Sequence, residues 1–204
     1  LVAVASTGVI GEYMQMDKIR AGIKELVFSD TAESASDFET AILTTDTFKK
    51  SCAFSANIGG KTVTVGGAAK GSGMIHPNMA TMLGFLTTDA QVSAANLQLA
   101  LSGTVDQTFN QITVDGDTST NDMVIILANG QSGCEELTPE HTEWSTFVAL
   151  VTAASSKLAK QIARDGEGAT KLFEAKVVNA KSKEDARTLS RAIVASNLSK
   201  AAIY

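Results

Sequence analysis

The chain has 204 residues, 44% of them hydrophobic and 19% charged, with a net charge of −5. That composition supports one large packed domain or two small ones and excludes long disorder. The acidic balance, with no block of Lys and Arg, argues against a nucleic-acid surface, where clustered positive charge dominates.

In chain order, residues 1–5 are an apolar run closed by Ser6-Thr7-Gly8, the pattern of a buried strand entering a turn. No basic region precedes the run, so it does not read as a secretory signal. Residues 17–28 carry Ile19, Ile23, Leu26 and Val27 at helical spacing, with Asp17 as N-cap. A second helix is predicted over 35–43. Residues 49–65 read as strands turning at Gly59-Gly60, 66–78 as a Gly-rich loop carrying Lys70, and 83–88 as a strand. A helix follows over 94–109 and a buried strand over 123–128, far too short to span a bilayer. Thr138 and Pro139 mark a helix start. Its stripe is Trp144, Phe147, Val148, Val151, Leu158 and Ile162, and Gly166 is the stop. A strand is predicted over 171–178, then a last helix over 185–197 with Leu189, Ile193 and Leu198 inward. Strands that come in pairs as well as alternating with helices give a mixed α/β (α+β) fold, with helices layered on more than one sheet.

Several motifs fail. Lys70 lies among glycines, but the order GxxxxGK[ST] of a phosphate-binding loop is absent. Asp115-Gly116-Asp117 would need Gly and Glu at the sixth and twelfth positions of a calcium loop; Thr120 and Ile126 stand there, so a solvated turn is expected. His76 and His141 have no partner at metal-ligand spacing and no Ser-His-Asp context. Cys52 and Cys134 form no CxxC pair and read as buried reduced thiols. A reducing compartment, the cytoplasm, follows.

One stretch carries chemistry. From Ala68 to Asp89 a Gly-rich loop runs into Ala80-Thr81, and an apolar strand follows at once. Taken alone, a Thr at a strand edge is ordinarily structural. Six segments in order, however, closely match one family: residues 6–11 (STGVIG), 43–47 (LTTDT), 70–74 (KGSGM), 78–83 (NMATML), 115–122 (DGDTSTND) and 165–170 (DGEGAT). In these the chain resembles the ornithine acetyltransferase (glutamate N-acetyltransferase) family of arginine biosynthesis, and the matches span essentially its whole length.

The resemblance implies a helix–sheet–sheet–helix layered fold, as in the self-processing Thr-nucleophile enzymes. It implies self-cleavage between Ala80 and Thr81. Residues 1–80 would then be the C-terminal part of an alpha piece and 81–204 the N-terminal part of a beta piece, intertwined in one domain. Thr81 would be the nucleophile, and Thr7 (side chain) and Gly8 (backbone N–H) the oxyanion hole. Thr44, Lys70, Thr81 and Glu167 would contact substrate, with Lys70 on a carboxylate and Glu167 on an ammonium. The chemistry is coherent, because cleavage frees an α-amine with an unperturbed pKa of roughly 8, a proton acceptor beside a weak hydroxyl nucleophile. The implied reaction is ping-pong: N-acetylornithine acetylates Thr81, then glutamate takes the acetyl group. Acetyl-CoA is an open alternative donor. No metal or bound cofactor is implied, and the partners are small molecules rather than nucleic acid or membrane. The two pieces are expected to associate as two alpha and two beta. Family members begin earlier and continue further, with an Asn and a Thr near their C-terminus completing the substrate site, so the chain is expected to be an excerpt. Two other readings stay open: a self-processing amidohydrolase or aminopeptidase with water as acceptor, and an inactive truncated fragment.

Overall fold

The structure is a computed structural model that describes residues 2–76 and 82–203. Its helices are α1 (Met16–Glu25), α2 (Ala32–Ala41), α3 (Ala94–Val105), α4 (Trp144–Arg164), α5 (Lys183–Ala195) and α6 (Asn197–Ile203). Its strands are β1 (Lys50–Ile58), β2 (Lys61–Lys70), β3 (Leu83–Thr88) and β4 (Met123–Ala128), which form one sheet in that order among the described residues. The mixed α/β class is borne out.

β1 and β2 make an antiparallel hairpin paired from Ile58↔Lys61 to Lys50↔Ala69. Gly59 and Gly60 have φ of +58° and +75°, the pair of positive angles that a two-residue turn matched to strand twist requires. β2 then pairs antiparallel with β3, and β3 pairs parallel with β4 across the α3 crossover. The glycines after residue 65 were expected to make a loop, but β2 runs on to Lys70, opposite Leu83. These glycines serve close packing within the sheet. A Cβ on Gly67 would stand 2.6 Å from Leu86 Cδ2 and 2.7 Å from the Phe85 carbonyl oxygen.

The core lies on one face of the sheet. α4 buries Phe147, Val151, Ala154, Leu158 and Ile162 at helical spacing, in the same core as Val63, Val65, Ala69 and Leu86. Each such large side chain contributes about 1.5–3 kcal/mol of burial. The end of α4 thereby delivers Asp165 to the end of β2, and that placement builds the site described below. On the opposite face Phe38 of α2 meets Phe85 edge-on, with ring centroids 5.2 Å apart. Strand alternation puts Lys70 on this second face.

Four expectations are corrected. Residues 2–5 form no strand, and Val2 and Val4 are exposed. An apolar run makes a strand only where a neighbouring strand pairs with it, and no described strand does so here. The helix expected at Thr138-Pro139 starts at Trp144, after separate turns. Residues 171–178 are irregular, again for want of a pairing edge. α5 buries none of its side chains; Leu189, Ile193 and Leu198 are exposed. Both thiols are free, with Cys134 buried and Cys52 half-buried.

Candidate functional site

Lys70 ends β2 and is only 3% exposed, so it is not the solvated surface lysine its loop-like context suggests. Its Nζ donates to Thr44 Oγ1 at 2.6 Å and stands 4.0 Å from Asp46 Oδ2. Burial lowers the Lys70 pKa, Asp46 pulls it back up, and the Lys50 cation lowers it further. A buried ammonium with one hydroxyl contact and one distant carboxylate retains donor capacity for an incoming anion.

Asp46 organises the approach to Lys70. Its Oδ1 accepts from Lys50 Nζ and from the Gly71 N–H, both at 2.6 Å, and its Oδ2 accepts the Thr44 N–H at 3.2 Å. Lys50, 1% exposed, also donates to Asp165 Oδ2 at 2.5 Å. Asp165 in turn accepts the Thr47 N–H at 2.9 Å and the Thr47 hydroxyl proton. Burial works to raise both aspartate pKa values. The Gly71 N–H and Lys50 overcome it at Asp46, and Lys50 and Thr47 do so at Asp165, so both end below the ordinary carboxylate value. A lysine between two buried carboxylates thus pins the 44–47 loop, the end of β2 and the end of α4 together.

Glu167 sits just past that junction. Its N–H donates to the Ser72 carbonyl at 3.2 Å, and Ser72 Oγ donates to the Asp165 carbonyl at 2.6 Å. The exposed Glu167 carboxyl lies against Gly73, where an added Cβ would fall 2.5 Å from Cδ and Oε1. The structure therefore brings Thr44, Lys70 and Glu167 to one short stretch, residues 70–73, with a buried cation on one side and an exposed carboxylate on the other.

Ala80 and Thr81 lie outside the described residues. The chain on either side of them is anchored by the 113–122 loop. Asp115 accepts the Met74 and Ile75 N–H groups at 2.6 and 3.0 Å, and Thr113 Oγ1 is 2.9 Å from His76 Nδ1. Asp115 is thus an anchor for the chain before Ala80 and Thr81 as well as a turn residue. At the other end Asp122 Oδ1 accepts the Met82 N–H at 2.7 Å. The neighbouring Asn121 donates through Nδ2 to the Ser6 carbonyl at 3.0 Å, beside Thr7 and Gly8. Thr7 is half-buried and Gly8 exposed, with nothing within 4 Å of a Cβ built on it. No described hydrogen bond joins Thr7 or Gly8 to the Lys70 cluster.

Comparison with known proteins decides the family. The ArgJ family profile matches residues 1–204.

The chain belongs to the ArgJ family.

The arginine biosynthesis bifunctional protein ArgJ of Geobacillus stearothermophilus is 61% identical over 203 residues, covering 100% of this chain and 50% of that protein. The ArgJ of Bacillus subtilis (strain 168) is 58% identical over 204 residues, with the same two shares. The chain thus spans about half the length of the curated relatives it matches. A crystal structure of ArgJ from Bacillus halodurans is 54% identical, with a TM-score of 0.60 over 61% of this chain and 58% of that one.

Sequence reasoning assigned no role to Asp46, Lys50, Asp165, Asn121 or Asp122. All but Lys50 fall within the segments that match this ArgJ family, which was the available signal. Lys50 gave none, because a Lys at the start of a strand reads as solvated until the end of α4 is placed beside it. Among the described residues no group of His, Cys, Asp and Glu could hold a metal ion, and no helix is long and apolar enough to cross a membrane.

Proposed function

We propose that this chain is the central part of a self-processing acetyltransferase of arginine biosynthesis, acting in the cytoplasm. It moves an acetyl group from N-acetylornithine to glutamate through an acetyl-Thr81 intermediate, after cleavage between Ala80 and Thr81. The observation that carries the reading is the buried Lys70 ammonium on Thr44, with the Glu167 carboxylate across the 70–73 stretch. Fixed opposite charges suit the carboxylate and the amines of an amino-acid substrate better than they suit a neutral amide. ArgJ family membership supports the same reading.

In this reaction the Thr81 hydroxyl attacks the acetyl carbon, and its proton passes to the Thr81 α-amine. Thr7 and the Gly8 N–H stabilise the negative oxygen of the tetrahedral intermediate. The amide C–N bond then breaks, the leaving amine takes the proton, and ornithine departs. The glutamate amine repeats the sequence on the ester and restores the free hydroxyl. The two pieces stay together and pair as two alpha and two beta; acetyl-CoA is a further acetyl donor to assay.

The test is denaturing mass spectrometry of the full-length protein beside Thr81→Ala. Two fragments split at Ala80-Thr81 in the wild type, with an intact and inactive variant, are expected. A variant that still cleaves or still transfers acetyl removes Thr81 from the mechanism. Free acetate in place of N-acetylglutamate would make the protein a hydrolase.

A further inference from the structure

We infer that Asn121 and Asp122 are positioning residues that hold the Thr7–Gly8 segment in register with the start of β3, which follows Thr81 in the sequence. The inference rests on the roles proposed above for Thr7, Gly8 and Thr81. A tetrahedral intermediate is stabilised only if the oxyanion donors stand at a fixed distance from the nucleophile, and a 1 Å error costs about a hundredfold in rate. The two groups of residues are remote in sequence, and the segment at 8–11 is exposed, with no described atom within 4 Å of a Cβ built on Gly8 or Gly11. Something must set their separation.

The 121–122 dipeptide touches both. Asn121 Nδ2 donates to the Ser6 carbonyl, one residue before Thr7. Asp122 Oδ1 accepts the N–H of Met82, one residue after Thr81. Adjacent Cα atoms are fixed about 3.8 Å apart by the trans peptide, so the two bonds spring from neighbouring points on one backbone. That backbone is itself anchored, because the next residue, Met123, donates its N–H to the Met82 carbonyl at 3.2 Å and opens β4. Displacing Asn121 therefore shifts the oxyanion segment relative to β3, and losing Asp122 removes one of the two hydrogen bonds that tie Met82 to the 122–123 backbone and side chains.

Asp122 is poised for this contact. Its Oδ2 is buried and has no hydrogen-bond partner among the described residues. Burial pushes its carboxyl up to about 6, against the lowering effect of the Met82 N–H. A cavity of about 250 Å³ opens beside it, lined by Met82, Leu101, Phe109 and Asn110 among others, so the position is not merely filled by packing.

The experiment uses the full-length protein in five forms: wild type, Thr81→Ala, Asn121→Asp, Asp122→Ala and Asp122→Asn. The readouts are the rate of fragment appearance by denaturing mass spectrometry, kcat and KM for acetyl transfer, and the melting temperature. Asn121 is exposed, and Asn121→Asp keeps its volume while replacing the donor with an acceptor facing a carbonyl. It should lower kcat by about ten- to a hundredfold, with KM and melting unchanged. Asp122→Ala should slow both cleavage and transfer, and Asp122→Asn, which can still accept the Met82 N–H, should recover most of the loss. A wild-type kcat in Asn121→Asp, a change confined to KM, or an Asp122→Asn form no better than Asp122→Ala overturns the inference. If Thr81→Ala is dead while Asn121→Asp is fully active, only the positioning role falls. If Thr81→Ala is active, the proposed function falls with it.

Discussion

Lys50→Met isolates the buried charge cluster under the candidate site. Met keeps most of the stem volume and removes the cation. The side chains of Asp46 and Asp165 are 0% and 2% exposed, and they lose ion pairs of 2.6 and 2.5 Å. Breaking a buried pair by removing one partner costs about 3–5 kcal/mol. The Gly71, Thr44 and Thr47 N–H groups continue to support the two carboxylates, so the low end applies, about 3 kcal/mol. At this chain length each kcal/mol shifts melting by about 2–4 °C, which gives about 6–12 °C in thermal unfolding followed by circular dichroism at pH 7. The pH dependence has a definite sign. Both carboxylates have folded pKa values below the ordinary carboxylate value. Their contribution is present above that value and is lost as pH falls through the folded one. The gap between wild type and variant should therefore be widest near neutrality and narrow below about pH 4. A loss under about 1 kcal/mol at pH 7, or a gap independent of pH, refutes the claim that Lys50 neutralises two buried charges.

Lys70→Ala removes the buried donor proposed for the substrate carboxylate. A charged hydrogen bond of about 1.5–3 kcal/mol predicts a KM raised roughly ten- to a hundredfold with kcat nearly kept; an unchanged KM removes Lys70 from binding. Gly73→Ala should push the Glu167 carboxyl aside, since the new Cβ would stand 2.5 Å from it. Because Glu167 is exposed, melting should change by less than about 0.5 kcal/mol in stability while KM rises, and wild-type kinetics would show that Glu167 has no substrate role. For Asp122 burial pushes the folded pKa up to about 6, above the ordinary carboxylate value. Its neutral form favours folding at low pH, and that benefit fades as pH rises through 6. The melting temperature of Asp122→Asn relative to wild type should therefore climb between pH 4 and 7, and a flat difference would mean that the carboxyl is not desolvated.

The sequence by itself determined the elements that rest on local pattern. The Gly59-Gly60 turn, β3, β4 and the apolar stripe of α4 were all legible, because strand alternation, paired glycines and helical spacing are written in neighbouring residues. The family was legible too, since its segments carry specific residues in order. Tertiary structure decided what depends on a partner remote in sequence. Residues 2–5 and 171–178 look like strands but have no described edge to pair with. Gly66 and Gly67 look like loop residues but continue β2, because β3 lies close against them. Lys50 and Lys70 look solvated, yet the end of α4 and the 44–47 loop enclose them and turn two surface-type lysines into a buried charge cluster. Asp122 gave no local sign of its contact, because Met82 lies 40 residues away and only the pairing of β3 with β4 brings the two together. Charge and hydrogen-bonding capacity are properties of a residue, but the work they do is set by which distant segments the fold places beside them.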